Sequence, residues 1–310
     1  MTAGAPAPAE PDVADAAVRP EAITAAPAAT TTTRARWRRP LARNRNVLVG
    51  TTLLIVFVLA AIFAGALATH NPTRLDPGAR LRPPSAQHYF GTDEFGRDVY
   101  SLVLYGSRVS LLVGGVTMLL TSAGGVVIGL AAGFYRRLDL LIMRVTDGLM
   151  AFPAILLAIA FMAARGPGVW NVILALSIVY MPRTALLIRS TVLSVRELDY
   201  VQAARSLGRP DLGIACRHIL PNCLAPLLVQ GTFIFAYAIL AEAILGFLGV
   251  GVPPYVPSWG NVISSGKNVI REAFWVSLFP GLALTVAGLS LNLLGDGLRD
   301  VLDPRLRVRQ

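Results

Sequence analysis

The sequence predicts an all-α polytopic membrane protein with six transmembrane helices and both termini in the cytoplasm. Three observations lead to this fold class. Hydrophobic residues make up 54% of the 310-residue chain, and its mean hydropathy is +0.59. Only 15% of the residues are charged, whereas a soluble globular protein carries about 25%. The apolar residues also lie in runs of about 20 or more, the length of a helix that crosses a bilayer.

Residues 1–45 are predicted to form a disordered, basic cytoplasmic tail. The first 33 are rich in Ala, Pro and Thr and lack apolar periodicity, and six arginines follow between Arg34 and Arg45. A run of 22 residues without a charge then extends from Val47 to Ala68. A cleaved twin-arginine export signal is the alternative, but the apolar core of a signal peptide is only about 7–15 residues long. We therefore interpret this run as an uncleaved first span.

Five further spans follow on the same criterion of length. They are predicted at 109–135, 140–164, 169–189, 220–247 and 273–294. Residues 46–107 thus contain the first helix and an outer loop with an interfacial helix. Residues 108–299 form the core domain with the other spans, and residues 300–310 are predicted to be a cytoplasmic C-terminal tail.

The distribution of basic residues predicts the orientation, because cytoplasmic loops of membrane proteins are enriched in lysine and arginine. With the N-terminus inside, the inner segments hold 17 basic residues and the outer loops hold seven. A net charge of +10 would also suit a nucleic-acid-binding protein, but here the arginines flank apolar runs. We therefore predict contact with membrane lipid and none with nucleic acid.

Nucleotide hydrolysis and metal chemistry lack the motifs that they require. A P-loop has the pattern GxxxxGK[ST], but the one lysine, Lys267, lies in SSGKN, where Asn268 replaces Ser or Thr. The two cysteines, Cys216 and Cys223, and three scattered histidines form no zinc pattern. We expect no catalytic residue, no bound cofactor and no metal.

Three charged residues in or near the predicted spans are candidates for a transport pathway or gate. Asp147 lies three residues after Arg144, a spacing that allows the two side chains to pair. Glu242 lies 21 residues after Pro221, about 30 Å along a helix and close to the outer surface. Arg183 either snorkels inward or lines the pathway. For each residue the alternative is an interfacial charge with a local partner.

The second span carries Gly125, Gly129 and Gly133, which form a ridge of small residues on one helix face. Such ridges allow helices to approach closely in lipid. We interpret the ridge as a packing surface, either within the subunit or against a second subunit.

The longest inner loop, residues 190–219, is predicted to contain two short helices separated by a glycine. SVRE at 194–197 has the pattern of a capping box, with Ser194 as the N-cap of the first helix. That helix runs to about Leu207, and Gly208 follows its end.

The second short helix is predicted to begin at Pro210, with Asp211 beside it near the positive end of the helix dipole. Pro221 marks the entry to the fifth span, and Ala203 and Ala204 leave a small surface for close contact. A hairpin of this kind docks in the groove of a partner, or it lies on the membrane with its arginines against anionic lipid. The residues alone leave both interpretations open.

The stretch YVQAARSLGRPDLGIACRHILPN at 200–222 resembles the cytoplasmic EAA loop of permeases in binding-protein-dependent ABC importers. The pattern of that family is an E-A-A triplet, a glycine four residues later and an exit similar to HILPN. Here Gln202 replaces the acidic residue of the triplet. Three further stretches resemble the C-type subunit of dipeptide and oligopeptide importers. They are HYFGTDEFGRDVYSLVLYGSRVSLLVG at 88–114, PSWGNVI at 257–263, and residues 279–307.

The resemblance implies a MetI-like fold and a non-catalytic permease subunit in a bacterial inner membrane. A second homologous permease subunit would complete the pathway for peptides or a related small solute. Two cytoplasmic ATPase subunits would bind ATP and magnesium, and an extracytoplasmic solute-binding protein would deliver the substrate. The alternatives are a stand-alone carrier or channel, and a membrane anchor without a transport role. The residues implied to contact the ATPase are Tyr200, Gln202, Ala203, Ala204, Gly208, Pro210, Asp211 and Leu212.

Overall fold

The computed structural model describes residues 44–302, and every regular element in that range is helical, apart from an isolated bridge between Thr92 and Asp98. The helices are α1 Arg45–Ile62, α2 Ala64–Leu67, α3 Val99–Phe134, α4 Arg136–Met150, α5 Ala154–Arg165, α6 Val169–Val195, α7 Asp199–Ser206, α8 Asp211–Ile214, α9 Leu220–Phe247, α10 Trp259–Gly266 and α11 Trp275–Leu302. A 3-10 turn spans Pro77–Ala79, and a π-helical turn spans Ala215–Ile219. The predicted N-terminal tail up to residue 43 and the predicted C-terminal tail from residue 303 lie outside the described residues.

Five helical stretches between residues 44 and 302 are long and apolar enough to cross a membrane. They are α1, α3, α6, the continuous stretch Asp211–Phe247 and α11. The number rises to six if α4 and α5 cross as one broken span. The predicted class of all-α polytopic membrane protein is therefore confirmed.

The third predicted span is wrong in shape. The expected continuous helix at 140–164 is divided into α4 and α5, whose axes differ in direction by 92°. Pro153 causes the break, because proline lacks a backbone N–H and its ring clashes with the preceding turn of a helix. An ion pair between helices holds α4, with Nη2 of Arg189 in α6 donating to Oδ2 of Asp139 at 2.7 Å.

The second predicted span begins about ten residues earlier than expected. Asp98 caps α3, because its Oδ2 accepts a hydrogen bond from the backbone N–H of Ser101 at 2.9 Å. The predicted outer loop therefore ends at residue 98. Between residue 69 and the start of α3, the regular element in that loop is the 3-10 turn Pro77–Ala79, and the interfacial helix expected there stays a prediction.

The core of the bundle lies where α3 packs against α6 and α9. One buried cluster occupies its middle and includes Val113, Ile173, Leu176, Ala238 and Leu245. A second cluster lies at the end of the bundle next to α7 and α8 and includes Ile188, Val192, Val201, Ile214 and Ile219. Helices α1 and α11 pack closely on each other, because Gly50 faces the backbone of Leu294.

The glycine ridge of α3 packs against α6 inside the subunit. Its members are Gly125, Gly129 and Gly133. A Cβ atom added to these glycines would lie 2.6 Å from Thr184, 2.6 Å from the carbonyl oxygen of Ala185 and 2.5 Å from Val192, respectively. No side chain larger than hydrogen fits at such distances without a shift of α6.

Candidate functional site

A helical hairpin projects from one end of the bundle and consists of α7, a turn at Gly208, and α8. Gly208 has a φ of +75°, and a Cβ atom added to it would meet nothing within 4 Å. Its N–H donates to the carbonyl oxygen of Arg205 at 2.9 Å. Glycine is therefore favoured here by the left-handed backbone rather than by lack of space.

The predicted capping box of the hairpin is wrong. Ser194 still lies inside α6, and its hydroxyl donates to the carbonyl oxygen of Ser190 at 3.1 Å. Glu197 accepts instead from Nε of Arg196 at 2.9 Å. Helix α6 continues because Val192 and Val195 pack into the buried cluster at this end, and that packing overrides the local capping signal.

The second helix of the hairpin also differs from the prediction. Pro210 is the N-cap of α8 rather than its first residue, whereas Asp211 lies in the first turn as expected. Helix α8 does not end before the fifth span, because the π-helical turn joins it to α9. The chain from Asp211 to Phe247 is thus a continuous helical stretch of 37 residues.

One side of the hairpin is anchored, and its tip is exposed. Val201, Ala204 and Ile214 are buried against α6 and α9. At the tip, Leu207 is 84% exposed and Leu212 is 75% exposed. Exposed apolar side chains on a well-anchored element are typical of an interaction surface.

Of the residues that were predicted to contact a partner, one is buried and the others are exposed. Ala204 faces the core, so its small size serves packing within the hairpin. The others are exposed, namely Tyr200, Gln202, Ala203, Gly208, Pro210, Asp211 and Leu212. Leu207 was not among the predicted contacts. Its sequence signal is a lone leucine between a short polar helix and the glycine.

Gln202 ties the hairpin to the end of α6. Its Nε2 donates to the carbonyl oxygen of Arg196 at 2.9 Å. Arg196 in turn donates through Nη1 to the carbonyl oxygen of Gly133 at the end of α3, at 3.0 Å. A glutamate at position 202 would have no hydrogen to donate when ionised, so glutamine changes the chemistry of this contact.

Arg183 lines an open groove of about 700 Å³ between α6 and α9. Its other lining residues are Met150, Leu186, Leu187, Ser190, Gln230, Phe233 and Tyr237. A second groove of about 410 Å³ shares Leu187, Gln230 and Phe233 and extends to Arg299. The groove thus combines apolar walls with a guanidinium, an amide and a phenol, groups that bind carboxylates and peptide bonds.

The other two pathway candidates do not line this groove. Asp147 is exposed on α4, and within residues 44–302 it forms no ion pair with Arg144. Glu242 is completely buried and accepts a hydrogen bond from the hydroxyl of Ser110 at 2.8 Å. In the part of the chain that the structure describes, Asp147 thus lacks the ion pair with Arg144 that the spacing allowed, and the partner of Glu242 lies on another helix.

Two protein families match the sequence. Residues 125–308 match the binding-protein-dependent transport system inner membrane component. Residues 32–84 match the N-terminal transmembrane domain of oligopeptide transport permease C. Together these matches extend over most of the chain.

Individual relatives are similar over nearly their whole length. A putative peptide transport system permease protein of Brucella suis is 53% identical over 270 residues, which cover 87% of this chain and 91% of that protein. The dipeptide transport system permease protein DppC of Alkalihalophilus pseudofirmus is 43% identical, with coverages of 87% and 90%. DppC of Escherichia coli is 41% identical, with coverages of 86% and 91%.

A solved structure supports the fold. The crystal structure of an amino acid ABC transporter with histidines superposes with a TM-score of 0.50 at 17% identity, covering 64% of this chain and 92% of that chain.

Proposed function

Because the chain belongs to the family of inner-membrane components of binding-protein-dependent transport systems, we propose that it forms half of the pathway of an ATP-driven peptide importer. It is a multi-pass permease subunit of the bacterial inner membrane. Peptide is the substrate class that the names of its relatives support. The observation that carries the proposed coupling to ATP is the anchored hairpin with its exposed apolar tip.

The hairpin docks into a cytoplasmic ATPase dimer in this proposal. The two ATPase subunits bind ATP and magnesium, and this chain binds neither. The beginning of α1, the end of α11 and the hairpin lie at one end of the bundle. Gly297 faces Val47, and Arg299 shares a groove with Pro226, near the start of the helix α9 that continues from the hairpin. That arrangement supports a cytoplasmic location for both termini and the hairpin, in agreement with the bias in basic residues.

Force on the hairpin reaches the groove through one continuous helix. Leu212 at the tip and Tyr237 in the groove both belong to the stretch Asp211–Phe247. A rigid shift of α8 therefore moves the wall of the groove. Closure of the ATPase dimer around ATP biases this helix between an inward-open and an outward-open arrangement, as a two-state element requires.

The groove faces a second, homologous permease subunit, and the two walls together enclose the peptide. An extracytoplasmic solute-binding protein delivers the peptide at the far end. Within the groove, Arg183 is the residue suited to bind the C-terminal carboxylate of a peptide, because its guanidinium donates parallel hydrogen bonds.

Co-purification and reconstitution test this function. The full-length chain, expressed with its neighbouring genes and an affinity tag, should bring down a second permease and two ATPase subunits. Liposomes containing the complete complex should accumulate peptide only with ATP and the binding protein. Peptide transport by the chain alone, without nucleotide, would instead establish a stand-alone carrier.

A further inference from the structure

Two histidines and an aspartate converge at the end of the bundle opposite to the hairpin. They are His70 after α2, His88 in the following loop and Asp98 at the start of α3. Their potential ligand atoms all lie within 4.8 Å of one another. The two imidazole rings stack with their centroids 4.6 Å apart. The three segments that meet here are separated by 18 and 10 residues in the sequence, so no local motif announces the cluster.

The separations within the cluster suit ligands of a single metal ion. Oδ1 of Asp98 forms a 2.9 Å hydrogen bond with Nδ1 of His88, which a bound ion would replace, and lies 3.8 Å from Nδ1 of His70. In a tetrahedral zinc site with bonds of about 2.0–2.1 Å, neighbouring ligand atoms are about 3.3–3.4 Å apart. The two observed distances lie on either side of that value. Because all three ligand atoms lie within 4.8 Å of one another, rotation of the two imidazoles would bring the nitrogens towards these separations.

The carboxylate of Asp98 is already oriented. Its Oδ2 accepts hydrogen bonds from the backbone N–H of Ser101 at 2.9 Å, from the hydroxyl of Ser101 at 2.7 Å and from the hydroxyl of Thr69 at 3.2 Å. Those donors hold one oxygen and leave Oδ1 directed at the histidines. Hydrogen bonds of this kind fix metal ligands and increase affinity.

The cluster is accessible from solvent on one side. The side chain of His70 is 42% exposed, whereas that of His88 is 12% exposed and that of Asp98 is 1% exposed. An ion can therefore enter past His70, and a water molecule can complete a fourth position. The Nδ1 of His70, now 3.0 Å from the hydroxyl of Thr69, would exchange that contact for the ion.

We propose that His70, His88 and Asp98 bind one divalent transition-metal ion, with zinc as the reference ion. Two imidazole nitrogens and one carboxylate oxygen form a donor set that binds zinc and its first-row neighbours in preference to magnesium or calcium. The ion would fasten the segment after α2 and the following loop to the start of α3. The proposal departs from the sequence-based expectation of no metal, and it does not depend on the nature of the transported substrate.

Zinc binding to the purified full-length chain tests the proposal. The affinity tag must contain no histidine, and Zn²⁺ is titrated in competition with a chromophoric chelator. The chain should bind one zinc ion, and His70→Ala should weaken binding at least about tenfold. His70 is exposed, so this variant should fold, and its circular dichroism spectrum should match that of the unaltered chain.

Cys216→Ser provides the matched control, because Cys216 is the exposed thiol among the described residues and thiolates bind zinc. It should bind zinc unchanged. X-ray absorption at the zinc edge should show nitrogen and oxygen ligands without sulfur. Loss of binding in Cys216→Ser, a sulfur ligand, equal affinity in His70→Ala, or no stoichiometric zinc would each overturn the proposal. Because transport is not measured, failure here leaves the importer function untouched.

Discussion

The hydroxyl of Ser110 in α3 donates a 2.8 Å hydrogen bond to the carboxylate of Glu242 in α9, and both residues are fully buried. The same hydroxyl accepts from the backbone N–H of Trp259 at the start of α10, at 3.3 Å. Ser110 therefore joins α3 to α9 and to the start of α10. Glu242 and Trp259 lie 132 and 149 residues after it in the sequence. Glu242 is thus bonded to α3 and does not line the groove that contains Arg183.

Removal of the Ser110 hydroxyl should destabilise the subunit. Ser110→Ala leaves the buried carboxyl of Glu242 without this donor, at a cost of about 1–3 kcal/mol. We expect a lower unfolding temperature of the purified chain in detergent. Ser107→Ala is the control, because Ser107 is also buried in α3 but donates only to the nearby carbonyl of Leu104. Equal effects of the two substitutions would contradict a special role of the Ser110–Glu242 contact.

Gly208→Pro should uncouple ATP hydrolysis from transport. Proline cannot adopt a φ of +75°, and it removes the N–H that bonds to Arg205. We expect normal membrane insertion but loss of peptide uptake or of the co-purified ATPase. Gly213→Ala is the control, because an added Cβ atom there makes an ordinary 3.6 Å contact with Pro210. Unchanged uptake by Gly208→Pro would remove the hairpin from the coupling mechanism.

The exposed leucine at the tip of the hairpin should matter for docking and not for folding. Leu207→Asp places a charge on a surface that is 84% exposed, so the unfolding temperature should change little. If the tip docks in an apolar pocket of the ATPase, burial of that charge would weaken binding. The amount of ATPase that co-purifies with the chain should therefore fall at least tenfold. Leu75→Asp is the control at the opposite end, where Leu75 is 63% exposed. Equal ATPase recovery from the two variants would count against docking through this tip.

Gln202→Glu should loosen the base of the hairpin. An ionised carboxylate cannot donate to the carbonyl of Arg196, so a hydrogen bond of about 1 kcal/mol is lost and two acceptors face each other. We expect faster hydrogen exchange of the amides in α7. Gln202→Ala should have a smaller effect, because it removes the bond without adding repulsion. Exchange in the glutamate variant that is no faster than in the unaltered chain would show that the bond to Arg196 does not hold the base of the hairpin.

The extent of the spans was largely predictable from the sequence, because hydropathy and length are local properties. The predicted fifth span, 220–247, coincides with α9. Gly208 has the left-handed backbone conformation that its position after a helix predicts. The bend between α4 and α5 was also signalled, by Pro153, but a criterion of length alone does not detect a break. The convergence of His70 with His88, and of Ser110 with Glu242, was not predictable. Contacts between distant segments depend on packing, which local periodicity does not contain.

Arg183→Ala should reduce uptake of peptides that have a free C-terminal carboxylate. A hydrogen bond to a charged group contributes about 1.5–3 kcal/mol, so we expect a loss of roughly 10- to 100-fold in transport efficiency. Uptake of the matching C-terminally amidated peptides should change much less, and Arg183→Lys should retain part of the activity because it keeps the charge. Arg144→Ala is the control, since Arg144 is exposed on α4 and does not line the groove. An equal loss for free and amidated peptides would assign Arg183 a structural role in the groove rather than recognition of the carboxylate.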